Sequence, residues 1–94
     1  MTVRVRLPRA LAEHAGGRGD VEVDAGPDAT VYDVIAVLSA SFPAVGRRIV
    51  DETGELRRHV TVYVGTEECR RLQGLATPVP EGAEVWVIGS IAGG

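Results

Sequence analysis

Lysine and asparagine are missing from the chain altogether, and cysteine and tryptophan occur once each, as Cys69 and Trp86. Every basic side chain is therefore an arginine, and no side-chain amine is available as an isopeptide acceptor. A single thiol forms no internal disulfide and no four-thiolate metal or iron–sulfur site. The longest clean apolar run, residues 34–38, is far too short to cross a bilayer. Residues 1–10 alternate charged with apolar side chains and lack the apolar stretch of a signal peptide. The formal net charge is −3 with no basic run, so the footprint of a general nucleic-acid binder is missing as well. The expectation is a cytoplasmic protein with neither a nucleic acid nor a membrane as its partner.

What is present describes one small packed unit. The 94 residues fit a single domain spanning 1–94, and 45% apolar against 24% charged residues argues for a globule over disorder. Residues 2–7 alternate strictly, with Val3, Val5 and Leu7 on one face and Thr2, Arg4 and Arg6 on the other, which reads as a half-buried strand ended by Pro8. A short helical turn is expected over residues 10–15, then a turn at Gly16-Gly17-Arg18-Gly19. Val21, Val23 and Ala25 alternate with Asp20, Glu22 and Asp24 in a second strand pairing with the first.

The main helix is the clearest element. Thr30 followed by Asp33 is a capping-box spacing, and Val31, Val34, Ile35, Leu38 and Phe42 form one helical stripe before Pro43 stops it. A further helical turn fits residues 44–50, and residues 51–54 read as a surface loop. Three more strands are expected: residues 59–64, a short edge strand at 68–73, and residues 84–88, where Val85 and Val87 lie on one face and Trp86 and Ile88 on the other. Residues 89–94, Gly-Ser-Ile-Ala-Gly-Gly, have no partner to pack against and are expected to form a flexible tail. One amphipathic helix lying across one mixed sheet of four to five strands is an α+β layer arrangement.

The side chains offer little for catalysis. His14 and His59 are the only histidines and have no metal-ligand spacing around them. No nucleophile motif frames Ser39, Ser41, Ser90 or Cys69, and Cys69 reads as a small packing residue. The glycine-rich turn lacks the Gly-Lys-Ser/Thr ending of a phosphate loop. Arg18-Gly19-Asp20 reads as a chance tripeptide. No catalytic residue, metal ligand or bound cofactor is assigned.

The end of the sequence is more informative. Gly93-Gly94 offers a carboxylate with no Cβ to obstruct it, although two terminal glycines alone are equally what a frayed end looks like. Gly74-Leu75-Ala76-Thr77-Pro78, then Glu81-Gly82-Ala83-Glu84-Val85, then Ile91-Ala92-Gly93-Gly94, resembles the closing segment of the ThiS/MoaD superfamily of ubiquitin-like sulfur carriers. Within it the chain is most similar to the CysO-type carriers of actinobacterial cysteine synthesis, through the Gly-Leu-Ala-Thr turn, a Gly-Gly before the second strand, and its length. Gly89-Ser90 stands where molybdopterin-type carriers usually have prolines.

The resemblance implies the β-grasp fold, that of ubiquitin, and a mechanism without a side-chain catalyst. A ubiquitin-activating-type adenylating enzyme would use ATP to adenylate the Gly94 carboxylate. A sulfur donor would then displace AMP to leave a thiocarboxylate, with Ile91, Ala92 and Gly93 giving access to the enzyme channel. A sulfur-accepting synthase of cysteine synthase-like, thiosugar, thiazole or molybdopterin type would take the sulfur. If the last strand lies between the first and the 59–64 strand, as in that fold, then Arg4, Arg6, Thr61, Tyr63, Trp86 and Ile88 share an outward face. That face would bind the partner, apolar in the middle and basic at one side. The alternative reading places Trp86 in the core with the strand faces reversed. Rival functions are a small subunit of molybdopterin synthase, a thiazole-pathway carrier, a protein modifier forming isopeptides, and a plain β-grasp binding module.

Overall fold

The computed structural model describes residues 1–89. In order, its main elements are β1 (Thr2–Arg6), α1 (Arg9–Ala12), β2 (Asp20–Asp24), α2 (Val31–Ser41), α3 (Pro43–Ile49), β3 (Val60–Val64), β4 (Glu67–Glu68) and β5 (Glu84–Gly89). Short 3₁₀ turns at Glu13–Ala15, Cys69–Arg71 and Gly74–Ala76 fill the connections. The five strands make one mixed sheet in the order β2-β1-β5-β3-β4. β5 runs parallel to β1 and antiparallel to β3, so the last strand occupies the centre of the sheet. With the helices against one face, this is the β-grasp arrangement.

The two-residue period of the strands decides which face is covered. Val3, Val5, Val60, Val62, Val85 and Val87 are all buried, as are Val34, Ile35 and Leu38 of α2. Burial of each such side chain contributes roughly 1.5–3 kcal/mol before ordering costs. Leu38 and Val34 are completely inaccessible, which makes α2 the centre of the helical layer. Its first turn is held by the capping box: the Asp33 N–H donates to Thr30 Oγ1 at 3.2 Å and the Thr30 N–H donates to Asp33 Oδ2 at 2.9 Å.

Four expectations need correction. Phe42 ends the helical stripe in sequence, but it caps α2 in a non-helical conformation and packs only partly against the core. Pro43 stops α2 and also starts α3, since its fixed φ suits a first helical position. Val45 and Ile49 of α3, both fully buried, belong to the core that Phe42 only borders. The edge strand expected at 68–73 is only Glu67–Glu68, because the chain turns at Cys69 to bury that side chain. Gly89, assigned to the tail, belongs to β5 and pairs with Val60. The β3–β4 turn places Gly65 at φ +63°, a left-handed conformation that favours glycine.

Candidate functional site

The outward face of the sheet carries the side chains that α2 and α3 do not cover. Register places Arg6 and Tyr63 on either side of Trp86, and Thr61 beside Ile88. Trp86 is 39% and Ile88 46% exposed on the most central strand, so the two form an uncovered apolar centre where a sheet is usually best protected. Trp86 is therefore not core, and the reversed-face alternative is overturned. Tyr63 and Thr61 are half-buried beside them.

Trp86 is held in place by charge. The Arg6 guanidinium carbon lies 4.7 Å from the centroid of the indole, a cation–π contact, and the indole N–H donates to Glu84 Oε1 at 3.2 Å. Glu84 also sits 3.8 Å from Arg6 and 4.0 Å from Arg4. Arg4 donates to Glu22 Oε2 at 3.3 Å and lies 4.0 Å from Asp20. A ring planted between a cation and a carboxylate keeps one rotamer, so less side-chain entropy is lost when a partner covers it.

These contacts correct the expectation that the face is basic at one side. β2 alternates Asp20, Glu22 and Asp24, and its antiparallel register places them opposite Arg6, Arg4 and Thr2. Arg4 and Arg6 are therefore neutralised within the face, leaving an apolar centre bordered by a mixed-charge network. The sequence carried a signal for Glu84, which was missed: it shares strand parity with Trp86 and Ile88.

Each remaining residue singled out from the sequence can be placed. Ile91, Ala92, Gly93 and Gly94 lie outside the described residues. Ile88 immediately precedes Gly89, so the apolar centre borders the point from which the chain continues toward them. Cys69 is fully buried, and burial pushes its thiol pKa up, so it stays protonated and shielded at neutral pH. His14 and His59, far apart in sequence, line one open cleft of about 750 Å³ together with Arg9, Arg48, Val60 and Gly89. Sequence spacing held no signal for that meeting, which depends on α1 and α3 packing at the end of β5. Among the described residues no group of three or more His, Cys, Asp or Glu side chains could hold a metal ion, and no helix is long and apolar enough to cross a membrane.

The sequence matches the ThiS family over residues 5–94. The sulfur carrier protein CysO of Mycobacterium tuberculosis is 34% identical over 96 residues, covering 100% of each chain. Among solved structures, the Amycolatopsis orientalis BexX/CysO complex contains a chain 34% identical at a TM-score of 0.86, covering 98% of this chain and 99% of the other. SAMP1 from Haloferax volcanii is 31% identical at a TM-score of 0.84 with 100% of both chains covered.

Proposed function

The chain belongs to the ThiS family, and from that premise we propose that it is a sulfur carrier protein supplying sulfur for cysteine or another sulfur-containing metabolite. The observation that carries this reading is the alignment with CysO across the entire length of both chains. The reacting group is the Gly94 carboxylate. An adenylating enzyme of the ubiquitin-activating type joins it to the AMP portion of ATP and releases pyrophosphate. A nucleophilic sulfur donor then breaks the acyl–phosphate bond, AMP leaves, and a thiocarboxylate remains. A sulfur-accepting synthase takes the sulfur from that group. The chain is a protein co-substrate in this scheme and contributes no catalytic side chain.

The carrier contributes recognition. Trp86 and Ile88, with Tyr63 beside them, dock on the partner, while Arg4 and Arg6 hold the ring and border of the patch. Burying this exposed centre against an enzyme offsets the entropy lost when residues 90–94 enter a channel. Gly93 lets the chain end pass where a Cβ would touch the channel wall.

The likeness to SAMP1 supports a second reading, a protein modifier joined to targets through the same carboxylate. One experiment separates them. The protein is incubated with its adenylating enzyme, ATP and a sulfur source, with and without a cell extract, and the products are resolved by mass. A sulfur carrier drives ATP–pyrophosphate exchange and yields a free thiocarboxylate. Stable high-mass conjugates lost on deleting Gly94, with no thiocarboxylate formed, would favour the modifier.

A further inference from the structure

Among the described residues, the arginines paired with carboxylates all lie on the outward face of the sheet. Arg4 and Arg6 each lie within 4.0 Å of carboxylates. The other eight arginines have no carboxylate within that distance among the described residues, and five of them, Arg9, Arg48, Arg57, Arg58 and Arg70, lie together. These five converge on the end of β5. Arg9 and Arg48 line the cleft that contains Gly89, beside His14 and His59. Arg57, Arg58 and Arg70 line the adjoining cleft, which shares His59. The register pair Val60–Gly89 places this rim where the described chain ends.

The rim is also built. Arg70 donates to the carbonyl of Val60 at 2.6 Å and to that of Arg57 at 2.8 Å, and Arg57 donates to the carbonyl of Arg47 at 2.7 Å. Arg48 donates to the carbonyl of Ala44 at 2.9 Å. The guanidinium groups of Arg48, Arg57 and Arg70, fixed to backbone oxygens, keep their remaining N–H groups in set directions with no carboxylate within 4.0 Å among the described residues. The carboxylates in these clefts are Glu13, Asp51 and Glu55. Glu13 faces His14 at 3.7 Å. Asp51 is occupied by the hydroxyl and N–H of Thr53 and by the N–H of Glu55, and the Arg57 charge acts on it from beyond 4.0 Å. A chain of net charge −3 thus gathers five arginines around the end of β5.

Resting on the sulfur-carrier reading, we propose that this rim is a second docking surface, distinct from the Trp86 face, and that it takes an acidic surface surrounding the channel mouth of the adenylating enzyme. The apolar face supplies residence and the rim supplies steering. Any enzyme that swallows residues 90–94 must close around the end of β5, so its channel mouth meets these arginines. Charges at such a rim act mainly on the rate of encounter and its salt dependence.

The test uses Arg9→Gln, Arg48→Gln and Arg58→Gln combined in the full chain, which leaves the Arg57 and Arg70 carbonyl contacts intact. ATP–pyrophosphate exchange by the adenylating enzyme is followed against carrier concentration at low and high salt, and thermal unfolding is compared. The expected result is a KM about tenfold higher than wild type at low salt with kcat unchanged, and a KM that rises less steeply with salt. Unfolding should be unaltered. Equal KM values and equal salt slopes, with wild type still activated, would overturn the rim and spare the carrier reading. Failure of the wild type to be activated would sink the carrier reading, and the rim with it. Binding of a single-stranded RNA by the wild type at the same salt, lost in the variant while KM is unchanged, would make the occupant a nucleic acid and also overturn the proposal.

Discussion

At the scale of single residues, Trp86 shows how strand parity and exposure combine. Its neighbours Val85 and Val87 are buried, so period two alone puts the indole outside. That much was legible in the sequence. The identity of its supports was not, because Arg6 and Glu84 reach it only once β1 and β5 are paired. Trp86→Ala and Ile88→Ala should each weaken binding to the adenylating enzyme, by about 1–3 kcal/mol for a central apolar contact, with the melting temperature almost unchanged. Titration calorimetry beside thermal unfolding checks this; variants that unfold would return Trp86 to a structural role. Gly46 is a second residue-scale case. A Cβ built there overlaps Oγ and Cβ of Ser39, so α2 and α3 approach too closely for any side chain at this point. Gly46→Ala should destabilise by roughly 1–3 kcal/mol in denaturant titration. A neutral result would mean that the two helices can separate freely.

At the scale of elements, α2 was fully legible at its start and misleading at its end. The Thr30 and Asp33 spacing specified the cap, and the hydrogen bonds that realise it follow from chemistry local to one turn. Phe42 continued the stripe arithmetically, but Pro43 disfavours helical backbone at the preceding residue, and the ring moved out of line. Leu38→Ala should therefore cost about 2–5 kcal/mol. Phe42→Ala should cost less, about 1–2 kcal/mol, because part of its surface never leaves water. Equal losses would restore Phe42 to the stripe. β4 was overread for a related reason: alternation beyond Glu68 competes with burial of Cys69, and burial won. The loop after α3 makes a separate prediction about pH. The hydroxyl of Thr53 and the N–H groups of Glu55 and Thr53 lower the pKa of Asp51, and the N–H of Gly26 and the N-terminal ammonium lower that of Asp24. A carboxylate with a lowered folded pKa contributes stability above its unfolded value and loses it as pH falls through the folded one. The contribution of these two carboxylates should therefore fade below about pH 4. Asp51→Asn should lower the melting temperature from pH 6 to 8, where the carboxylate contributes fully, and lessen its further fall below about pH 4.

At the scale of the whole molecule, the sheet order explains why the chemistry sits where it does. Placing the last strand in the centre makes the exit of residues 90–94 continuous with the best-supported strand of the fold, with the uncovered Trp86 and Ile88 just before it. That order could not come from periodicity, which fixes faces and not neighbours; the resemblance of the closing segment supplied it. The net charge of −3 concealed the separation of paired and unpaired arginines, because composition sums what the fold sorts. The central claim remains that the terminal carboxylate carries sulfur, and intact-mass measurement after incubation with the adenylating enzyme, ATP and a sulfur source tests it most directly. The wild type should gain the mass of one oxygen exchanged for sulfur, localised by fragmentation to Gly94, and the Gly94-deleted protein should gain nothing while melting at the same temperature. Equal loading of both proteins, or loading of neither, would contradict it.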